Sequence, residues 1–462
     1  MTSQGKPTVL IVGAGLGGLM LGTLLEKIKI PFVIFERTSF IKPLGSAISI
    51  GPPILALFQQ LGIYEELVRE GLRYTSIVEH RDNMQPQPFQ DFTPLEELTG
   101  YSQHIIARPV LYDLLLRQIP ANKILLNKRI LSIMEDDDKV TIHAADNTIY
   151  KGDLVVGADG AYSVVRKQMY EKLKRRGWLP KGDDEGLPFN YTCLVGQTTY
   201  MDPDKFPIFK NPSSQVLSVR GIDIPYTWLT FTTAQSTCCW MVIKSGEKFG
   251  ENDNPEWGPN AAKQMCDETR DFRTPIKGGD IYLSLGDLYD RTPQDRISKV
   301  MLEEKVFETW YHGRTVLIGD GAVTAMHDAL ALANLLYALP TNKTTSTIPT
   351  AKIRQLLFEY QQERRPKAQA TFKNSRVLSF VLRKDLVGAM VRSASKNMPV
   401  WLWRIFLAKA FGNRPQAGFL ERVEVKGTAA VYPSPSMEKA RAVFEERKRR
   451  GAADATDSTL TV

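Results

Sequence analysis

Apolar residues run in short unbroken stretches at three separate places along this chain and mostly alternate with polar ones between them. Residues 8–12 form an apolar strand, followed by a glycine-rich turn, an apolar helix and a second strand that closes at Glu36. Unbroken apolar strands of this kind suit a parallel sheet covered on both faces. Two later runs repeat the shape. Residues 154–156 lead into Asp159-Gly160, and 315–318 lead into Gly319-Asp320, each with a helix beyond the turn. Elsewhere the period is two: residues 124–151 alternate around the acidic turn 135–138, and 216–219, 227–231 and 239–243 read as strands parted by turn residues. Residues 54–62 read as a helix, and so do 108–116, where Pro109 stands in the first turn. Residues 73–104 mix short strand-like pieces with Pro86, Pro88 and Pro94, which predicts an excursion out of the first domain. From 351 to 411 the pattern is helical, and the last dozen residues are small and polar, which predicts a disordered tail.

The pattern predicts an α/β chain in which two domains interleave. A Rossmann-like domain takes residues 1–72, 105–185 and 301–375. A smaller, mostly antiparallel sheet takes the excursion 73–104 and residues 186–300. The C-terminus is helical over 376–430, with a basic helix and tail over 431–462.

The first turn, Gly13-Ala14-Gly15-Leu16-Gly17-Gly18, carries chemistry. Gly13 and Gly15 let backbone approach a pyrophosphate, Gly18 lets helix and strand pack closely, and the helix N-terminus offers unpaired N–H groups to phosphate. Glu36 follows Gly15 by 21 positions, where a carboxylate accepts hydrogen bonds from an adenosine ribose. A glycine pattern alone is weak; this one follows a strand, opens a helix and is answered by an acid.

Composition narrows the class. With 43% apolar and 24% charged residues the chain is an ordinary globular one. Four cysteines without metal-like spacing, two of them adjacent (Cys238 and Cys239), point to a reducing, cytoplasmic setting. The five histidines are scattered, so no metal site is expected. His312 reads as a turn residue. The first strand starts within eight residues, a reading without a cleavable leader, and no apolar run is long enough to span a bilayer.

The net charge of +8 is unevenly placed: residues 351–450 hold 22 Lys and Arg against 8 Asp and Glu, so +14, leaving the rest at −6. Within that stretch, 398–411 joins two tryptophans to flanking cations. Two readings stand: a helix lying in a membrane interface, or a core-packing helix with a solvated basic edge. Nucleic acid is not an expected partner. Lys172, Lys174, Arg175 and Arg176 read as a solvated face.

Three strand–turn units in this order resemble a group A flavoprotein monooxygenase of the p-hydroxybenzoate-hydroxylase type, most similar to the fungal paxilline-type FAD-dependent monooxygenases. The likeness runs to about residue 430. It implies FAD as cofactor and NAD(P)H as co-substrate. It further implies that Gly13, Gly15, Gly18 and Glu36, with Arg37 beside it, hold the ADP half, and that Arg108 reaches the flavin nucleotide. By the same likeness Gly45 to Ser49 lie beside the cofactor, Asp159 and Gly160 with Arg166 lie near the pyrophosphate, and Asp320 binds the ribityl hydroxyls, with Gly321 and Ala322 following. The implied reaction is hydroxylation or epoxidation of a hydrophobic small molecule in secondary metabolism. No universal catalytic base is implied. Tyr226, Trp228, Phe231 and Trp240 are plausible pocket-lining residues, although aromatics on strands mostly fill cores.

One departure stands out. In the family a proline and a glycine-rich loop follow the Gly-Asp turn, and that loop's N–H groups sit at the flavin ring's pyrimidine edge. Here Asp320 runs directly into Gly321-Ala322-Val323-Thr324, so a segment on the order of ten residues is absent, against the roughly 4–6 of a median connection. The loss removes donors that would stabilise an anionic ring and opens the edge to water. A gene-structure error, a flavin-binding paralogue that does not oxygenate, and redirected flavin chemistry all fit. His327 and Asp328, on the helix beyond, read as packing residues.

Overall fold

The computed structural model describes residues 6–41, 47–81, 83–187, 189–221, 224–245, 259–303, 305–319, 321–340, 348–382 and 386–459. Two sheets organise it. The first has six strands in the order Tyr311–His312, Thr315–Leu317, Leu154–Gly157, Val9–Val12, Phe32–Phe35 and Ile124–Leu125. Its central pairs are parallel, with Val9 opposite both Leu154 and Phe32. Only the edge hairpin Tyr311–His312 is antiparallel, so His312 ends a short strand just before the turn at Gly313. Val9, Leu10, Ile11, Val155 and Val156 are all but inaccessible, as a strand covered on both faces requires.

The helices Leu16–Lys27 and Ala322–Tyr337 pack on one face of this sheet, in a core that also takes Leu356, Leu357 and Tyr360 from the long helix Thr350–Leu382. The other face is covered by the three-stranded meander Ile130–Glu135, Val140–Ala144 and Ile149–Gly152 and by Val165.

The second sheet has nine strands and is mostly antiparallel. It gathers Phe189–Gln197, Ser213–Arg220, Tyr226–Thr232, Cys238–Ser245 and Ser298–Glu303 with Leu72–His80, Pro86–Asp91, Gln103–Ala107 and Ala47–Ile50. The last of these pairs Ala47 with Ala107 and Ile50 with His104, so Ser49 belongs to this sheet.

Strand register decides which aromatics can meet a substrate. Trp228 faces Val242 and Val219, and Trp240 faces Thr230. These side chains therefore share one face, where Tyr226, Trp228 and Trp240 are buried beneath the helices Pro259–Thr269 and Leu285–Tyr289. Trp228 Nε1 donates to the Arg273 carbonyl oxygen at 2.8 Å, and Trp240 Nε1 to Thr292 Oγ1 at 3.0 Å. The expectation that these three line a pocket is corrected: they fill a second core. Phe231, one residue out of phase, points to the opposite face with Leu229 and Met241, all half-buried.

The C-terminal helices are Leu386–Lys396, Val400–Phe411 and Pro435–Thr459. The last runs to Thr459, into the small, polar residues read from sequence as a disordered tail. Among the described residues no helix is long and apolar enough to cross a membrane.

Candidate functional site

Three strands of the first sheet, ending at Val12, Gly157 and Leu317, deliver their following turns to one crevice at the carboxyl edge. At the first turn Gly13 has φ +107°, and a Cβ there would lie 2.4 Å from the Ala158 carbonyl oxygen. A Cβ on Gly18 would lie 2.1 Å from the Gly13 carbonyl oxygen. These two glycines let the turn, its helix and the neighbouring turn close on one another. Gly15 differs. A Cβ on it would meet nothing nearer than 3.8 Å, so the missing side chain leaves room rather than fills a clash. Gly15 is also the N-cap of Leu16–Lys27, and no side chain caps that helix. Apart from the Leu16 backbone group, which the Tyr112 side chain reaches, its first N–H groups are left for an anion.

Glu36 closes the next strand. Its Oε2 accepts from the Ala14 N–H at 3.0 Å, and its Oε1 accepts from the Thr38 N–H at 3.0 Å and Oγ1 at 2.9 Å. The carboxylate is thereby fixed at the mouth of the glycine turn, and Arg37 beside it is exposed.

Arg108 is the first residue of Arg108–Leu116, as its Pro109 neighbour predicts. Its Nε is buried without a hydrogen-bond partner among the described residues. Tyr112, one turn along, hydrogen-bonds the Arg108 side chain and reaches the backbone of Leu16. Burial raises the Tyr112 pKa, and the charge of Glu36 adds to the rise. Arg108, Tyr112, Glu36 and the uncapped helix end therefore converge. Tyr112 was missed at sequence level; its spacing of four from Arg108 is the signal that could have found it.

At the second turn Asp159 works through the backbone. Its Oδ1 accepts from Ser163 Oγ at 2.5 Å and its Oδ2 from the Val164 N–H at 2.6 Å. It thus holds the N-cap Ser163 of the helix Val164–Arg175, whose Oγ accepts from the Arg166 N–H at 2.9 Å, and shapes the turn at Gly160, where φ is +80° and a Cβ would meet nothing within 4 Å. Burial raises the pKa of Asp159 despite these donors. Arg166 donates to the Ala161 carbonyl oxygen at 2.5 Å and lies 4.5 Å from the Phe307 ring centroid.

At the third turn four residues separate Leu317 from the helix Ala322–Tyr337, with Gly321 as its N-cap and no capping side chain. Gly319 N–H donates to Asp328 Oδ2 at 2.9 Å, and Tyr360 Oη donates to the Leu317 carbonyl oxygen at 3.0 Å. His327 Nε2 donates to the Pro53 carbonyl oxygen at 2.9 Å. Burial, with Arg364 nearby, pushes the His327 pKa down to about 3, so its ring is neutral at pH 7. A cavity of about 250 Å³ separates the second and third turns, walled by Asp159, Arg166, Lys305, Phe307, Ile318 and Thr324 among others.

Ser49 Oγ hydrogen-bonds Gln103 Oε1 at 3.0 Å within the second sheet. Gly45 and Asp320 lie outside the described residues. Among the described residues no group of three or more His, Cys, Asp or Glu is placed to hold a metal ion. All four cysteines are free.

An FAD binding domain family matches residues 6–179. The FAD-dependent monooxygenase ausM of Penicillium brasilianum is 30% identical over 394 residues, covering 81% of this chain and 78% of its own. The chain belongs to the FAD-dependent monooxygenases. The monooxygenase andE of Emericella variicolor is 29% identical over 402 residues (83% of this chain, 82% of the relative), and paxM of Penicillium paxilli is 28% identical over 404 (83% and 80%). Among solved structures, Klebsiella pneumoniae HpxO complexed with FAD and uric acid superposes with a TM-score of 0.66 at 17% identity, covering 89% of this chain and 98% of that one. The fold is therefore shared where little of the sequence is.

The residues present fit FAD. The glycine turn is closed where it meets protein and open where a pyrophosphate would lie. The first helix is uncapped, and Arg108 brings a buried donor without a partner to the same end.

Proposed function

We infer that this FAD-dependent monooxygenase uses NAD(P)H and O2 to place one oxygen atom on a hydrophobic small molecule, as in fungal secondary metabolism. The observation that carries the reading is the crevice where Gly13 closes on Ala158, beside a helix Leu16–Lys27 whose N-cap is a glycine and an Arg108 Nε that has no partner among the described residues.

Each residue then has a task. Glu36, with Arg37 beside it, holds the adenosine ribose. The N–H groups after Gly15 and the Arg108 guanidinium, steadied by Tyr112, hold the pyrophosphate. Gly13 and Gly18 let the backbone approach, and Asp159 sets the turn that brings Gly160 to the cofactor. Gly45 and Ser49 lie alongside it. Asp320 takes the ribityl hydroxyls. Gly321 and Ala322 present the uncapped helix end to the ring edge, where negative charge develops on reduction. FAD, when bound, supplies the hydride and oxygen chemistry. The protein binds, orients and excludes water.

The substrate lies against the half-exposed face of the second sheet, on Leu229, Phe231 and Met241. Residues 1–72, 105–185 and 301–375 form the FAD-binding unit, except for the strand Ala47–Ile50, which joins the second sheet, and 73–104 with 186–300 form the substrate unit. Hydrophobic contact on this face, not a catalytic base, selects the substrate.

The four-residue link between Leu317 and Ala322 supports a second reading, a flavin-binding protein that does not oxygenate. Purified protein incubated with FAD, NAD(P)H and labelled O2 separates the two. The first reading expects yellow protein and label in an organic product from a hydrophobic substrate panel. Yellow protein that oxidises NAD(P)H and releases only hydrogen peroxide supports the second. Colourless protein that takes up no FAD overturns both.

A further inference from the structure

The helix Val400–Phe411 is apolar on two opposite sides, and its own protein covers only one of them. Trp403, Leu407 and Phe411 share one arc, where they pack against Phe92, Leu95 and Leu98. Trp403 Nε1 donates to the Asp91 carbonyl oxygen, and Arg404 pairs with Glu97, both at 2.5 Å. At about 100° per residue, the opposite arc holds Trp401, Leu402, Ile405 and Phe406. Trp401, Ile405 and Phe406 are 64%, 56% and 51% exposed. Leu386 and Met390 on the preceding helix Leu386–Lys396 are exposed too. A helix docked by one seam ordinarily carries polar residues on its outer face. This one carries two rings and two branched aliphatics there, with Lys409 on the same exposed arc.

We propose that this face seats the enzyme on an anionic lipid surface. Charge selects the occupant. Residues 383–410 contain six Lys and Arg against a single Asp, and with Arg404 neutralised by Glu97 the segment still carries a positive excess, so two copies placed face to face would oppose like charges. An anionic headgroup layer neutralises those cations while the arc of Trp401, Leu402, Ile405 and Phe406 enters the acyl boundary. Tryptophan and flanking lysine or arginine suit the headgroup level. The surface is separate from the FAD crevice, so the proposal stands or falls apart from the assignment of the reaction.

The test is flotation of the FAD-loaded full chain with phosphatidylcholine vesicles, with and without phosphatidylserine, at low and high salt. The expected result is at least about tenfold stronger association with the anionic vesicles, lost at high salt. Trp401→Ser combined with Ile405→Ser should lower it about tenfold again, and Lys409→Glu should lower it further. All three positions are exposed, so the variants should keep their melting temperature and NAD(P)H oxidation. Failure to float, or equal binding to neutral vesicles, overturns the proposal. So does a Trp401→Ser/Ile405→Ser variant that floats unchanged but elutes as a smaller species than the parent, which would make the face a contact between copies.

Discussion

The Asp328 carboxylate ties the third turn to the long C-terminal helix: its Oδ1 accepts from Arg364 Nε at 2.6 Å while its Oδ2 accepts from the Gly319 N–H at 2.9 Å. Both side chains are almost wholly buried. A buried pair of this kind costs desolvation on both partners, and removing one partner strands the other. Asp328→Ala should therefore destabilise the fold by about 3–5 kcal/mol. It should also loosen the turn that leads to Asp320, weakening FAD binding. The double variant Asp328→Ala/Arg364→Met should recover much of the melting temperature without recovering FAD affinity. Thermal unfolding and flavin fluorescence titration read the two effects separately. Equal recovery of both would mean that the pair does not position the turn.

Arg108→Met should separate binding from stability in the opposite sense. The Arg108 Nε is buried without a partner, which is a cost in the protein without cofactor. Removing the guanidinium should leave that form as stable as the parent or more so. FAD affinity should fall by about tenfold or more, since a charge-assisted bond to phosphate contributes about 1.5–3 kcal/mol. An unchanged dissociation constant for FAD would place Arg108 outside the cofactor site.

These two positions show what was legible in the sequence and what was not. The glycine turn, the Arg108 helix and the strands of the second sheet could be read because each is set by local chemistry: an apolar run, a proline or glycine, a period of two. The Asp328–Arg364 pair joins residues 36 apart in sequence, and only tertiary packing brings them together. A lone acid in an otherwise apolar helix is its one sequence trace. The aromatics of the second sheet failed differently. Both faces of its inner strands are largely apolar, so periodicity found the strands but could not say which face met solvent.

That failure has a measurable consequence. Trp240 is fully buried against Tyr289, with ring centroids 4.7 Å apart, so Trp240→Ala should cost about 3–5 kcal/mol in chemical denaturation. Phe231 is half-buried on the other face. Phe231→Ala should cost about 1 kcal/mol or less but raise KM for the hydrophobic substrate several-fold while FAD affinity stays constant. A KM unchanged in Phe231→Ala would move the substrate surface elsewhere.

His327 predicts an acid-sensitive fold. Its folded pKa lies near 3 against an ordinary 6.5, because burial and the nearby Arg364 disfavour the charged ring. Below 6.5 the unfolded chain binds a proton that the folded chain does not, so stability falls as pH drops from 6.5 toward 3. Midway between the two values the slope from this residue approaches about 1.4 kcal/mol per pH unit, the value for one proton bound only by the unfolded chain. His327→Gln, which can still donate to the Pro53 carbonyl oxygen, should flatten the dependence between pH 6 and 4 in melting-temperature measurements. A parallel pair of profiles would assign the acid sensitivity to other groups.

The short link after Leu317 sets the last expectation. The helix that begins at Ala322 brings its uncapped end to the turn, so some N–H donors remain where the resemblance to p-hydroxybenzoate-hydroxylase-type enzymes implies a glycine-rich loop. Donors alone do not exclude water, and a cavity of about 250 Å³ stands open beside this turn. Reduction of the cofactor should therefore proceed, whereas transfer of oxygen to substrate should be inefficient, because shielding from water protects the reactive oxygen. Inserting a glycine-rich segment on the order of ten residues, the length absent relative to a family loop, between Asp320 and Gly321 should raise the fraction of NAD(P)H converted to oxygenated product. The rate of NAD(P)H oxidation should change little. Peroxide and product measured in the same reactions decide it: coupling that is already high without the insert would show that the helix end and the long C-terminal helix shield the ring edge by themselves.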